Sequence, residues 1–364
     1  MLASMWVKTL KLNTFRNLAT ATLQLPGPGV YVLYGPNGAG KTNVLEALSL
    51  LSPGQGLHRD RLDSMTQHGA SGWSLYAETV QGDETHRVGM QLAQGRRQLR
   101  LDGEDVSGQA QLAQVGAVVW FTPEMDRLFF DSPSARRRFL DRLVFGVMPT
   151  HAGALSRYTS HMQKRARLLK EHADPDWIAL EEQQVADWGV RVARARLDFL
   201  EMLAPHLVEV ALALSGSAEK LVLESADPVA DFTAQLMANR ARDQRYGSTH
   251  FGPHRSDVGG TLALPEGPAV ALAQASMGQH KRAVLQMLIG HARLLKAATG
   301  HAPCLLLDEV AAHLDASSRA LLYTQLAPLA AQLWLTGTER QQFEGLPEAH
   351  FIAARAGELQ LEDV

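Results

Sequence analysis

The chain is nearly free of cysteine. Its 364 residues hold one, Cys304, which excludes an internal disulfide and fits a reducing compartment. Cys304 precedes Leu305-Leu306-Leu307, the setting of a small core residue and not of a reactive thiol. No His/Cys cluster has the spacing of a zinc site. Long hydrophobic runs are missing as well. None approaches the roughly 18–20 apolar residues that cross a bilayer, and the stretch 208–214 is broken by Glu209. Met1 to Lys8 lack the apolar core of a signal peptide, so the sequence predicts a cytoplasmic protein without a membrane partner. A strong charge of one sign is absent too: the formal net charge is −3, too small to attract a polyanion in bulk. With 46% hydrophobic and 20% charged residues and no low-complexity tract, the chain reads as globular and long enough for two lobes.

The charge is unevenly spread. Residues 131–170 hold nine Lys or Arg and two Asp, a balance of +7 that leaves −10 for the rest. Nucleic acid, if bound, would meet this local excess.

What is present begins with a phosphate cradle. Val30-Tyr31-Val32-Leu33-Tyr34 is a β-branched and aromatic run typical of a buried strand. Gly35-Pro36-Asn37-Gly38-Ala39-Gly40-Lys41-Thr42 follows and matches G-x-x-x-x-G-K-[ST] without a mismatch. A helix from Asn43 to Leu51 comes next, with Val44, Leu45, Leu48 and Leu51 on one side. Such a loop curls so that backbone N–H groups converge on a phosphate, and the helix start adds partial positive charge. Lys41 is placed to reach the β- and γ-phosphates of ATP, and the Thr42 hydroxyl to bind Mg²⁺.

A second apolar strand, Pro303 to Leu307, ends in Asp308-Glu309. The first acid suits the Mg²⁺ shell, and Glu309 suits polarisation of an attacking water. Between Lys41 and Asp308 lie 266 residues, far more than separate these motifs in GTPases or small-molecule kinases. No Asn-Lys pair occurs, so the guanine motif is missing. A large segment is therefore inserted between two halves of one ATPase core. Ser276-Met277-Gly278-Gln279, 32 residues before Asp308 and at the start of an amphipathic helix, resembles the ABC signature. There Ser276, Gly278 and Gln279 would contact the γ-phosphate held by a second chain. Ala311-Ala312-His313-Leu314-Asp315 resembles the D-loop, with Asp315 facing the partner. ATP is then the glue of a homodimer.

The fold class follows: an α/β ABC-type P-loop ATPase head, lobe I, with an inserted mainly helical lobe II and no long coiled coil. Lobe I is expected over 1–120 and 300–364, lobe II with short arms over 121–299. Three kinds of protein share such heads: transporter ATPase subunits, SMC-like structural ATPases and repair ATPases. The inserted helices, about 132–215, have no room for an SMC-length coiled coil. The strand 331–335 ends in Thr336-Gly337-Thr338, without the histidine usual at that switch in transporters.

Several further segments resemble the RecF family. They are Leu12-Asn13-Thr14-Phe15-Arg16-Asn17-Leu18 near the start, Thr122-Pro123-Glu124, and Pro133-Ser134-x-Arg136-Arg137-Arg138-x-Leu140-Asp141. Thr249-His250-Phe251-Gly252-Pro253-His254-Arg255-Ser256-Asp257 matches a Gly-Pro-His-Arg segment of the family, and Leu335-Thr336-Gly337-Thr338 its switch strand. Ser256 stands where an acid is usual, and Glu309 where Asp is frequent. The resemblance implies that Arg16 and Asn17 join the nucleotide site. It also implies a weak, DNA-stimulated ATPase of recombinational gap repair, bound to double-stranded DNA and single-strand/duplex junctions. Such proteins act with RecO and RecR to load RecA and support replication-fork recovery and the SOS response.

Two basic clusters are candidate DNA contacts. Arg136, Arg137 and Arg138 follow a helix start at Ser132-Pro133, and are open to two readings, phosphate contact or brace of the lobe. Lys164, Arg165, Arg167 and Lys170 surround a stripe of Met162, Ala166 and Leu169, suited to sequence-independent phosphate contacts. Arg240, Arg242 and Arg245 form a weaker third group.

Overall fold

A computed structural model describes residues 5–53, 56–58, 62–106, 108–215, 220–225, 230–263, 268–311, 316–346 and 348–362. The first strands are β1 (Met5–Phe15), β2 (Leu18–Gln24) and β3 (Gly29–Tyr34), followed by α1 (Lys41–Ser49). Then come β4 (Gly72–Gln81), β5 (Glu84–Ala93), β6 (Arg96–Leu101), β7 (Glu104–Asp105) and β8 (Val118–Phe121). The middle holds α2 (Pro133–Val147), α3 (Thr150–Lys170), α4 (Pro175–Ser215), β9 (Lys220–Ser225), α5 (Phe232–Ala238) and α6 (Arg240–Tyr246). After β10 (Val258–Ala263), β11 (Val270–Ala271) and α7 (Met277–Thr299), the chain closes with β12 (Cys304–Leu307), α8 (Ala316–Leu326), β13 (Gln332–Gly337), β14 (Ala349–Arg355) and β15 (Glu358–Leu361).

The chain divides into two units, the first Met1–Asp126, Glu209–Ser217 and Val284–Val364, the second Arg127–Val208 and Ala218–Ala283. The sequence expected breaks near 120 and 299. The second break instead falls inside α7, because this one continuous helix gives its longer C-terminal part, with buried Val284, Leu285, Leu288 and Leu295, to the first unit.

The first unit contains two sheets. One is antiparallel, in the order β2-β1-β4-β5-β6-β7. Strand β4 alternates, Trp73, Leu75, Ala77 and Thr79 inward against Ser74, Tyr76 and Glu78 outward, so one face is apolar and the other polar, while β1 carries a bulge between Val7 and Thr9. The second sheet runs β15-β14-β3-β13-β12-β8, parallel except for the β14–β15 hairpin. Its central strands are apolar on both faces, as parallel strands covered on both sides must be. One core joins the inner face of the antiparallel sheet to Val44, Leu45 and Leu48 of α1 and to Tyr31, Leu33, Leu306 and Trp334. Cys304 lies in it, fully buried, and burial pushes its thiol far above the usual range, as an inert core residue requires. The buried Gln332 amide stitches the sheets together. It accepts from the Val7 N–H at 3.0 Å and donates to the Val7 carbonyl at 2.8 Å.

The second unit is mainly helical and also carries the antiparallel sheet β11-β10-β9. The helix start read at Ser132-Pro133 is present: the Ser132 hydroxyl accepts from the Ala135 N–H at 3.3 Å. Helices α3 and α4 run 21 and 41 residues. No described helix is long and apolar enough to cross a membrane.

Two buried arginines organise this unit. Arg196 grips Asp141 through two hydrogen bonds of 2.8 and 3.0 Å, and also donates to the Pro253 carbonyl and the Ser256 hydroxyl. His151 completes the cluster on Asp141 at 2.8 Å, and these partners hold the carboxyl below its usual pKa although burial opposes them. Arg165 is the second. It is 0% exposed and binds Glu182 of α4 (3.1 Å), Asp243 of α6 (2.7 Å), Thr249 (3.2 Å) and the Leu236 carbonyl (2.8 Å). Arg165 is thus corrected from a DNA contact to the centre of an internal ion network. An ion taken out of water needs such partners, and deleting one leaves its mates buried and uncompensated. Arg165→Ala is expected to destabilise the protein by about 3–5 kcal/mol in urea unfolding. A loss under about 1 kcal/mol would show that the network does not hold the helices.

Candidate functional site

The nucleotide cradle begins at β3 in the middle of the parallel sheet. Gly35 takes φ +148°, and a Cβ there would lie 2.1 Å from the Ala354 carbonyl oxygen, so only glycine fits where the chain leaves the sheet. Gly40 caps α1 at φ +105°, and a Cβ would meet Asn17 and Leu18 at 2.9 Å. The first turn of α1 has no side-chain cap, and its N–H groups open onto the loop. Pro36, Asn37, Gly38 and Ala39 form the turn between these glycines, closed by the Ala39 N–H on the Pro36 carbonyl at 3.2 Å. Lys41 is 5% exposed and donates to the carbonyls of Gly35 (2.7 Å) and Pro36 (3.0 Å). Burial lowers its pKa, and the nearby charges of Glu309 and Asp308 offset part of that shift.

Asn17 belongs to the cradle. Its side chain donates to the Gly38 carbonyl at 2.7 Å and accepts from Asn43 at 2.6 Å. The Arg16 guanidinium binds both oxygens of the fully buried Glu46 at 2.7 Å and donates to the Ser64 carbonyl. Arg16 thus holds the helix that carries Lys41 and Thr42, because Glu46 in the core must have a cation beside it.

The parallel register brings the second motif to the first. Strand β13 lies between β3 and β12, so Thr336 comes next to both the cradle and Asp308-Glu309. Asp308 accepts from the Thr42 hydroxyl at 3.2 and 3.0 Å and from the Thr336 hydroxyl at 2.6 Å. The Thr336 oxygen in turn accepts from the Glu309 N–H at 2.8 Å. One hydroxyl therefore positions both acids. The sequence pointed to the switch strand but gave Thr336 no role, since its reach depends on pairing with two distant strands. Glu309 sits at φ +47°, a left-handed conformation unfavourable for a side chain that long, and such strain concentrates at functional positions.

Burial raises the Asp308 pKa, the two hydroxyls opposing it. The donor set of Thr42 and Asp308 fits a hard cation: oxygen ligands only, with a carboxylate whose desolvation cost a cation would relieve. Among the described residues no group of three or more His, Cys, Asp or Glu could hold a metal. An ion here would complete its shell with water and phosphate oxygens, as Mg²⁺ does.

In the second unit, Ser276 and Gln279 form a reciprocal cap on α7. The Ser276 N–H donates to Gln279 Oε1 at 2.8 Å, and the Gln279 N–H to Ser276 Oγ at 3.3 Å. Ser276, Met277 and Gly278 are exposed. His280 behind them is buried, donates to the Leu272 carbonyl, and stacks on Phe130 at 4.0 Å between ring centres. Asp315 lies outside the described residues.

The basic clusters separate by exposure. Arg136 binds Asp257 at 2.8 and 2.7 Å, lowering that carboxyl's pKa, and Arg137 donates to the Ser256 carbonyl at 2.5 Å. Of the two readings left for them, bracing is the one the contacts support. Arg138 is exposed and touches Ser134. Lys164, Arg167 and Lys170 are exposed on α3, whereas Arg240 pairs with Glu182 at 2.6 Å. The family-like segment 252–257 is structural in the same way. The Tyr158 hydroxyl donates to His254 Nδ1 at 2.6 Å while His254 Nε2 donates to the Thr249 carbonyl, and burial keeps the ring's pKa low.

The Asp308 shift has a measurable sign. A folded carboxyl with a raised pKa binds its proton more tightly than the unfolded chain does. Ionised Asp308 thus costs stability above that pKa, and the cost fades as pH falls through it. Without nucleotide or metal, Asp308→Asn is expected to raise Tm by a few degrees at about pH 8, with the gap narrowing in acid. An equal or lower Tm at about pH 8 would contradict the burial argument.

Residues 6–357 match the family described as RecF/RecN/SMC N terminal domain. The chain is 39% identical over 365 residues to the DNA replication and repair protein RecF of Rhizobium johnstonii, covering 96% of each protein. It is 36% identical to that of Brucella suis biovar 1, covering 97% of this chain and 95% of the relative. A solved structure of the recombination mediator protein RecF-ATPrS in the RecFOR pathway aligns with TM-score 0.86 at 23% identity over the whole of both chains. The Smc head of Pyrococcus furiosus, with an extended coiled coil, aligns at 0.59 and 14% identity, covering 99% and 96%. An α/β ATPase head of this kind, its two motifs joined through Asp308, and full-length identity to these relatives lead to one statement: the chain belongs to the RecF family.

Proposed function

We propose that this protein is an ATP-switched DNA-binding factor of recombinational repair, working as a dimer around nucleotide. The observation that carries the reading is the junction of Thr42, Asp308, Glu309 and Thr336 beside the Lys41 loop. Gly35 to Thr42 take the triphosphate through backbone N–H groups, and Lys41 moves from the loop carbonyls to the phosphates. Thr42 and Asp308 would hold Mg²⁺, and the ion would supply charge neutralisation at the phosphates. Glu309 orients the attacking water, with its backbone fixed by Thr336. Asn17 steadies the turn at Gly38.

The exposed start of α7 supports the rest of the proposal. Ser276, Gly278 and Gln279, with an aligned helix dipole behind them, suit the γ-phosphate of a nucleotide carried by a second copy. Met277 and Phe130, 49% and 48% exposed, give the same region apolar surface to bury on closure. Asp315 is proposed to face the partner. Hydrolysis is slow, stimulated by DNA, and releases the dimer. Relatives named as DNA replication and repair proteins, and a structure placed in the RecFOR pathway, support duplex and single-strand/duplex junction DNA as ligand and RecO and RecR as partners. Loading of RecA, fork recovery and the SOS response belong to the same proposal. Lys164, Arg167 and Lys170, with Arg138, are the proposed phosphate contacts.

Lys41→Ala is expected to abolish ATP binding and ATP-dependent dimerisation in light scattering. Ser276→Arg is expected to bind ATP normally and stay monomeric; a normal ATP-dependent dimer with Ser276→Arg would refute the composite site. For DNA, replacing Lys164, Arg167 and Lys170 by Ala should reduce the slope of log K against log salt by up to about 0.9 for each phosphate these side chains neutralise. An unchanged slope removes this face from the DNA surface.

A further inference from the structure

On the outward face of the antiparallel sheet in the first unit Lys11, Gln91, Gln98 and Arg100 are exposed and Ser74 and Tyr76 half-buried, and these side chains are not those of a merely solvated surface. Register places Tyr76 of β4 between Lys11 of β1 and Gly89 of β5, with Arg100 of β6 beyond the glycine. Lys11 Nζ stands 5.8 Å from the centre of the half-buried Tyr76 ring. On the other side Gly89 leaves a notch of about 190 Å³, lined by Ser74, Gly89, Gln91, Gln98 and Arg100 among others. The next row across the sheet is Asn13, Ser74, Gln91 and Gln98, all polar and hydrogen-bonded in pairs: Asn13 to Ser74 at 3.2 Å and Gln91 to Gln98 at 2.5 Å.

Glycine weakens a strand interior and needs a local reason. None lies in the backbone here. A Cβ at Gly89 would meet only Arg100 Cβ at 3.7 Å, ordinary contact, and its φ is not left-handed. The position tolerates a side chain and lacks one, so the notch at Gly89, the register partner of Tyr76, stays open. The outward residues of the central strands carry Lys8, Lys11, Arg87, Arg96 and Arg100 against Glu78, Asp102 just past β6 and, on β7, Asp105; Lys8 pairs with Glu78 at 3.3 Å and Arg100 with Asp105 at 2.8 Å. In a chain of net charge −3 this face is locally cationic.

We infer that this face is a binding platform for single-stranded nucleic acid, with Tyr76 stacking one unpaired base, Lys11 and Arg100 flanking it for the backbone phosphates, and the Ser74–Gln91–Gln98 row meeting base edges. An aromatic ring on a sheet, cations on either side and amide groups one row away meet the three needs of an unstacked nucleotide. A duplex offers no free base face to the ring, so the site distinguishes unpaired from paired strands. The inference stands apart from the nucleotide site and from the cations of α3. It also does not require the dimer.

The test uses the full-length protein, a labelled 20-nucleotide oligo-dT and a blunt duplex of the same length, followed by fluorescence anisotropy. Tyr76→Ala is expected to weaken oligo-dT binding at least about fivefold, the low end for removing one base–aromatic stack, while duplex affinity changes less than about twofold. Gly89→Val keeps every charge and suits a strand, so it should fold with unchanged Tm yet weaken oligo-dT binding in the same way. Equal losses on both DNAs for Tyr76→Ala, or full oligo-dT binding by Gly89→Val, would overturn the platform. So would displacement of oligo-dT by poly-glutamate as effective as by unlabelled oligo-dT, which would make the face a general polyanion or acidic-protein surface. Duplex binding and ATP-dependent dimerisation of the same variants report separately on the proposed function.

Discussion

A single buried carboxylate ties the ATPase core together. Asp308 ends β12, yet its oxygens accept from Thr42 at the head of α1 and from Thr336 at the end of β13. Three segments far apart in sequence therefore meet at one side chain, and the Thr336 oxygen passes the constraint on to the Glu309 backbone. The arrangement is costly without a ligand, since burial raises the Asp308 pKa and lowers that of Lys41 nearby. Charges held in this way stabilise the protein only once a complementary ligand arrives, so the proposed nucleotide and metal would raise the stability of this unit on binding.

The second unit solves a different problem. Its helices are amphipathic and rich in charge, and two buried arginines join them where a larger apolar core would otherwise be needed. Arg165 spans α3, α4 and α6, while Arg196 holds the segment 252–257 against Asp141. The family-like Gly-Pro-His-Arg string is thereby explained by packing: Gly252 at φ +133° leaves space where a Cβ would strike the Tyr158 hydroxyl at 2.3 Å. These interior networks absorb Arg165, Arg196 and Arg136, whereas Arg138, Lys164, Arg167 and Lys170 stay on the surface.

Local chemistry was legible in the sequence. The cradle from Gly35 to Thr42 and the Asp308-Glu309 strand end are contiguous patterns whose geometry follows from a few neighbouring residues, and the structure joins them through Thr42. The role of Thr336 was not legible, because it arises from a parallel register that places β13 between β3 and β12. Arg165 was misread for a similar reason. It lies four residues before Leu169 and three after Met162, on the inward stripe itself. Its acidic partners Glu182 and Asp243 stand 17 and 78 residues away, invisible to a helical wheel. The bond from Arg16 to Glu46, 30 residues on, was equally hidden from the sequence. The division inside α7 was hidden because a continuous helix gives no boundary signal.

The central claim is that nucleotide is gripped by the Lys41 loop of one chain and the Ser276 helix of another. Mixing the two defective proteins tests it most directly. Lys41→Ala and Ser276→Arg chains should each fail alone in ATP-dependent dimerisation and hydrolysis. Mixed together they form a pair in which one site has an intact Lys41 loop from the second variant and an intact Ser276 helix from the first. The account expects ATP-dependent association and hydrolysis to return in the mixture. A mixture as inactive as its two components would contradict it.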